Sequence, residues 1–127
     1  MAQTVSLATI QQTIAQALKN APADRGRIER AAVLIAMGRV QRTAVAEFTV
    51  GSQNNPSAHY IVTPDGCECV DAQRRPAARC KHQWAARIVV VAEWQTERQA
   101  TVAARFPDLS ATEMARLSEV KRRKVAA

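Results

Sequence analysis

The sequence predicts a small α+β protein in which helices flank a short antiparallel hairpin. Apolar residues recur at helical spacing between residues 7 and 18, and again between residues 25 and 37. The period changes to two between Val40 and Val50, which indicates a strand. Helical spacing returns after Cys80 and continues for more than twenty residues. Runs of helix, then strand, then helix are typical of an α+β arrangement.

Two helices are predicted at the N-terminal end. The first has Ser6 as its N-cap and is followed by Pro22, which cannot continue a helix. The second is predicted from Arg25 to Met37, with Asp24 as its N-cap. Gly38 follows at the C′ position, where helices commonly require a left-handed residue.

The strands come next. Residues 40–50 alternate between a mainly apolar and a mainly polar face, and we expect one strand over this range. The turn-rich segment GSQNNPS (51–57) leads to a second strand at His59–Thr63, so the two should pair as an antiparallel hairpin. Pro64-Asp65-Gly66 then turns the chain directly into Cys67.

The C-terminal third is predicted to be helical. A long helix should run from Cys80 to about Arg105. Ser110 and Glu113 have the spacing of a capping box, and they predict a last helix that ends in KRRK (121–124).

Composition narrows the classes of function. The chain has 127 residues with a formal net charge of +7, from 18 Lys and Arg against 11 Asp and Glu. Such a surplus favours polyanionic partners, but it also fits a charged surface that keeps a small protein in solution.

The first twenty residues lack the pattern of a signal peptide, and the uncharged apolar run from Ala31 to Gly38 is too short to cross a bilayer. We therefore expect a cytoplasmic protein without membrane contact.

The three cysteines and one of the two histidines fall within sixteen residues. The segment reads Cys67-Glu68-Cys69, ten residues, then Cys80-Lys81-His82. Three thiolates and one imidazole are the Cys₃His set of a tetrahedral structural zinc site, which leaves no open position for catalysis. The alternative is a group of buried cysteines beside a core histidine. The second histidine, His59, is expected to be a half-buried strand residue.

The pattern C-x-C-x10-C-x-H resembles that of the SWIM zinc finger family. The resemblance covers roughly residues 25 to 95. The further segments that share it are Gly38-Arg39-Val40, Val50-Gly51-Ser52, Tyr60-Ile61-Val62 and Trp84-Ala85. The resemblance implies a ββα unit in which a hairpin supplies the first two cysteines and a helix start supplies Cys80 and His82. SWIM domains are regarded as DNA-binding or protein-interaction modules. We accordingly divide the chain into an N-terminal helical segment (1–22), a SWIM-type domain (23–106) and a basic C-terminal helix (107–127).

Basic residues crowd the segment between the two ligand pairs. Arg74, Arg75, Arg79 and Lys81 are the candidates for phosphate contacts. A second basic group comprises Arg25, Arg27, Arg30, Arg39 and Arg42. Each group could instead be a solvated face.

Two hypotheses follow: a nucleic-acid-binding accessory protein, or a protein-interaction adaptor or homodimer scaffold stabilised by zinc. We expect no enzymatic activity, because the nearby histidine is a candidate ligand and the chain has no Gly-rich phosphate loop.

Overall fold

The computed structural model describes residues 5–52, 57–63, 66–75, 78–108, 110, 112–113 and 116. Its regular elements, in chain order, are α1 (Leu7–Asn20), a 3₁₀ turn (Pro22–Asp24), α2 (Arg25–Ala36), β1 (Val40–Ala44), β2 (Glu47–Gly51), β3 (His59–Thr63), β4 (Gly66–Cys67), α3 (Val70–Arg74) and α4 (Lys81–Arg105). The predicted α+β class is confirmed. The strands form one antiparallel sheet in the order β1-β2-β3-β4, which is larger than the expected two-stranded hairpin.

The predicted single strand over residues 40–50 is wrong, because the chain turns at Val45 and Ala46 and pairs with itself. Val40 lies opposite Val50, and Arg42 lies opposite Phe48. From Val40 to Arg42, each residue and its partner are both even-numbered or both odd-numbered, so they point to the same face of the sheet, and a register shift follows only next to the turn. A hairpin centred on residue 45 therefore produces the same alternation as one continuous strand. The period alone could not distinguish the two.

The start of α1 and the end of α2 agree with local capping chemistry, whereas Asp24 stands at the predicted N-cap of α2 without a side-chain capping bond. Ser6 Oγ accepts a hydrogen bond from the Thr9 N–H at 3.1 Å and begins α1. After α2, Gly38 has a φ of +70°. The Gly38 N–H bonds to the Ile35 carbonyl and the Arg39 N–H to the Leu34 carbonyl, both at 3.0 Å. These two bonds are the Schellman arrangement, and they turn the chain from α2 into β1.

Helix α4 lies between the other helices and the sheet. One buried cluster joins α4 to α2, and side chains of α1 pack against it. Its members are Ile28, Ala31, Trp84, Ala85 and Ile88. A second joins α2, the sheet and α4: Leu34, Phe48, Val50, Val62 and Ala86. Both clusters use the N-terminal half of α4, so they fix its first turn beside β4.

The predicted capping box near the C-terminus is present. The Glu113 N–H bonds to Ser110 Oγ and the Ser110 N–H bonds to Glu113 Oε2, each at 3.2 Å. Most of the predicted last helix and its basic end lie outside the described residues, and the division into three segments stays a prediction. Within the part of the chain that the structure describes, no helix is both long and apolar enough to cross a membrane.

Candidate metal centre

The four residues of the C-x-C and C-x-H pairs meet at one point. Cys67 is in β4, Cys69 is the N-cap of α3, and Cys80 is the N-cap of α4, with His82 in its first turn. Their ligand atoms all lie within 4.8 Å of one another. Cys69, Cys80 and His82 are buried, and Cys67 is half-buried. The arrangement fits a single metal ion.

Helix capping positions one cysteine of each ligand pair. Cys69 and Cys80 both have extended backbone angles, and each Sγ accepts a hydrogen bond at 3.4 Å from the N–H three residues later. At α4 the Gln83 side chain returns a bond to the Cys80 N–H at 3.0 Å, which completes a capping box. This box fixes the angle at which α4 starts, and therefore the position of His82 relative to the Cys80 thiol.

His82 presents Nδ1 to two of the thiols. The distance from Nδ1 to Cys67 Sγ is 3.8 Å, and to Cys80 Sγ it is 3.9 Å. On the same ring, Nε2 is buried without a hydrogen-bond partner among the described residues. The Tyr60 ring packs against the imidazole with the ring centroids 4.6 Å apart. Nδ1 is therefore the nitrogen available to an ion, and Tyr60 holds the ring in place.

The three thiols do not titrate alike. The pKa of Cys80 falls to about 4, chiefly because the Cys67 thiol donates a hydrogen bond to its thiolate. The same bond, together with burial, raises the pKa of Cys67 well above its usual range. Burial is the main cause of the raised pKa of Cys69. The cluster therefore holds one thiolate readily, and a bound cation would displace the protons of the other two.

An ion pair supports the segment between the two ligand pairs. Arg27 Nε and Nη2 donate to the two carboxylate oxygens of Asp71 at 2.9 and 3.2 Å. Asp24 lies 3.7 Å from the same guanidinium. The Arg27 hydrogen bond is the main cause that lowers the pKa of Asp71. One member of the second basic group is thus already neutralised, and it connects α2 to α3.

The structure separates the four candidate phosphate-binding residues. Lys81 lines a cavity of about 400 Å³ with Arg27, Arg30 and Tyr60. Arg75 lines a neighbouring cavity of about 340 Å³, again with Arg27 and Arg30. These two candidates therefore share a surface with α2.

The other two candidates lie apart from that surface. Arg79 lines a different cleft, between the sheet and α4, and its guanidinium lies 5.3 Å from the Trp84 ring centroid. Arg74 is exposed in the last turn of α3 and lines neither of the two cavities beside Arg30. His59 is exposed in β3 and is not part of the metal cluster.

Sequence reasoning missed three features around the centre. The short helix α3 follows its N-cap Cys69, in a segment for which no helix was predicted. Gln83, three residues after Cys80, was a visible capping signal, because Glu or Gln at that spacing closes a capping box. The Arg27–Asp71 pair joins residues 44 positions apart and had no local signal.

Comparisons of this chain with models of protein families, with curated proteins and with solved structures find no match. The interpretation of the centre therefore depends on its own geometry and chemistry.

Proposed function

We propose that the chain binds one structural zinc ion of the SWIM type through Cys67, Cys69, Cys80 and His82. The observation that carries the proposal is the convergence of the four ligand atoms. A tetrahedral zinc site with Zn–S near 2.3 Å and Zn–N near 2.1 Å places sulfur and nitrogen about 3.6 Å apart. The two measured distances, 3.8 and 3.9 Å, are within a few tenths of an ångström of that value.

The donor set favours zinc over other ions and favours a structural role. Thiolates select soft or borderline metals, and three thiolates with one imidazole suit a tetrahedral d¹⁰ ion that does not change redox state. Four protein ligands leave no position for water or substrate. The proposed ion would connect β4 and α3, which contain no buried residue, to the start of α4, which the two core clusters hold in place.

We further propose that the protein binds the phosphate backbone of nucleic acid beside this centre. Arg30, Arg75 and Lys81 come from α2, the end of α3 and the start of α4, and they surround the two adjoining cavities. The proposed ion would hold two of these elements in place. Together with the net charge of +7, this cluster supports contacts that give affinity without reading sequence.

Two measurements test the proposal. Elemental analysis of freshly prepared, reduced protein should find one equivalent of zinc per chain. Affinity for random duplex DNA should fall steeply with salt, because each phosphate contact releases counterions. Protein without metal contradicts the zinc site. Protein that holds zinc but shows no affinity for duplex DNA at low salt contradicts only the nucleic-acid function, and it favours the protein-interaction adaptor.

A further inference from the structure

A second cleft lies between the sheet and α4 and contains none of the four ligand residues. Its volume is about 310 Å³. Buried apolar side chains form its floor, among them Phe48 and Val62 from the sheet and Ala86 from α4. Val45, in the β1–β2 turn, and Val90, on α4, stand at its rim and are 91% and 43% exposed. Exposed valines over an apolar floor form a surface that a partner's apolar side chain could cover.

Two arginines also line the cleft. Arg79 precedes α4 and Arg87 lies two turns along it. Both guanidinium groups line the same cleft, so their positive charges repel each other. Partial burial lowers the pKa of Arg87, and the charge of Arg79 lowers it further. Neither forms an ion pair with a carboxylate among the residues that the structure describes. A carboxylate placed between them would relieve the repulsion.

Carboxylates of this chain already neutralise three other arginines: Arg25 pairs with Glu29, Arg27 with Asp71, and Arg42 with Glu93. The cleft differs from those three pairs because its arginines have no carboxylate partner among the described residues. It differs from the cluster of Arg30, Arg75 and Lys81 in its apolar floor, because the two cavities of that cluster are lined mainly by charged and polar residues. One occupant has to match both the charge and the apolar floor.

We propose that this cleft docks a short segment of a partner protein in which acidic residues flank an apolar one. Along α4, the lining residues Gln83 to Val91 span about 12 Å, which an extended segment of about four residues covers. The apolar side chain would lie over Phe48 and Ala86, and the carboxylates would meet Arg79 and Arg87. This proposal does not depend on nucleic-acid binding.

Other occupants fit less well. A nucleic-acid backbone could use the two arginines, but it has nothing to place against the apolar floor. The end of this chain has the wrong charge for the cleft, because it contains Lys121, Arg122, Arg123 and Lys124. An acidic, apolar peptide satisfies both properties of the surface.

The test begins with a displayed library of random peptides, selected on the full-length, zinc-loaded protein. Recovered peptides should share acidic residues on either side of an apolar position, and one of them then serves as the probe. Arg87→Glu should weaken binding of this peptide at least about tenfold, because a glutamate that repels its acidic residues replaces an arginine that attracts them. Val90→Ser should also weaken it, by removing apolar contact. Arg25→Glu and Val33→Ser are the controls, since both residues are exposed on α2, outside the cleft.

A charge swap makes the test independent of folding. The double variant Arg79→Glu/Arg87→Glu should reject the acidic peptide and bind the same peptide with lysines in place of its acidic residues. Zinc content and circular dichroism of each variant should equal those of the parent protein. A library without acidic enrichment would overturn the proposal. So would an Arg87→Glu variant that keeps peptide affinity but loses affinity for duplex DNA, because the cleft arginines would then be phosphate contacts.

Discussion

The Arg27 guanidinium donates two hydrogen bonds, of 2.9 and 3.2 Å, to the Asp71 carboxylate. This pair connects α2 to the segment between the two candidate ligand pairs. The Arg27 side chain is 16% exposed and that of Asp71 is 43% exposed. This geometry is bidentate and partly shielded from water, so it should stabilise the fold more than an ordinary surface pair does. It also orders α3, whose N-cap is a candidate ligand.

The first prediction concerns this pair. In a double-mutant cycle with Arg27→Gln and Asp71→Asn, we expect a coupling free energy of about 1 kcal/mol. The exposed pair Arg25–Glu29 is the matched control and should give about 0.3–0.5 kcal/mol. The measurement is urea unfolding of zinc-loaded protein. Equal coupling in the two cycles would show that the Arg27–Asp71 contact has no special role.

The pH of that measurement follows from the direction of the Asp71 shift. Its pKa is lower in the folded protein, so its contribution to stability is fully present above the unfolded value of about 3.9. The contribution is lost as pH falls through the lower folded pKa. Unfolding at pH 7 therefore measures the complete effect, away from the acidic range in which protons compete for the thiolates.

The second prediction concerns the metal. Replacing Cys67, Cys69, Cys80 or His82 by Ala should abolish zinc binding, whereas His59→Ala should retain one equivalent, because His59 is exposed and outside the cluster. Structural zinc contributes on the order of 10 kcal/mol in finger peptides, so chelation should disorder at least β4, α3 and the start of α4. Elemental analysis and circular dichroism check both results. Full zinc content in any of the four variants would remove that residue from the ligand set.

The third prediction concerns thiol reactivity. Zinc-bound thiolates are shielded from reagents. The sequence contains three cysteines, all of them proposed ligands, so no further cysteine is present as a resolving partner. Titration of the native protein should find few reactive thiols, and titration after denaturation with chelator should find three. Three rapidly reacting thiols in the folded protein would contradict the proposed site.

The fourth prediction refines the nucleic-acid surface. Replacing Arg74, Arg75, Arg79 and Lys81 together by Ala should flatten the slope of log affinity against log salt by about 0.9 for each phosphate that the variant no longer binds, up to about 3.6. Because Arg75 and Lys81 share a surface with Arg30, this pair should account for more of the change than Arg74 with Arg79.

Two controls accompany that measurement. Deleting Lys121–Ala127 should have a smaller effect than the quadruple replacement, since none of these residues belongs to the proposed set of phosphate contacts. Zinc content should be unchanged in every variant, because none of the four is a ligand. An unchanged salt slope in the quadruple variant would refute the placement of the phosphate contacts.

The fifth prediction compares the effect of alanine at two glycines, Gly26 within α2 and Gly38 just after its C-terminal end. Gly38→Ala should destabilise the protein by about 1 kcal/mol, because residue 38 has a φ of +70°, although among the described residues no non-adjacent one lies within 4 Å of the added Cβ. Gly26→Ala, within the helix, should stabilise it by up to about 1 kcal/mol, since in the described part of the chain the added Cβ meets the end of the Arg30 side chain at 4.0 Å and no closer side chain. Thermal unfolding distinguishes the two, and the same sign for both would contradict the conformational argument.

The sequence by itself determined the features that depend on neighbouring residues. The caps at Ser6 and Gly38 could be predicted because capping bonds join residues a few positions apart. The long helix after Cys80 followed from its apolar period. The C-x-C and C-x-H spacing likewise named the four residues that the fold brings together.

Only the tertiary structure decided how those local pieces face one another. The division of residues 40–50 into two strands was hidden, because a hairpin in that register keeps the same alternation as a single strand. Arg75 and Lys81 adjoin α2 while Arg79 adjoins Arg87, although all three belong to the same basic segment. Which cations share a surface is set by how α2, α3 and the sheet pack around α4. That packing depends on contacts between distant residues, and the order of residues along the chain does not record them.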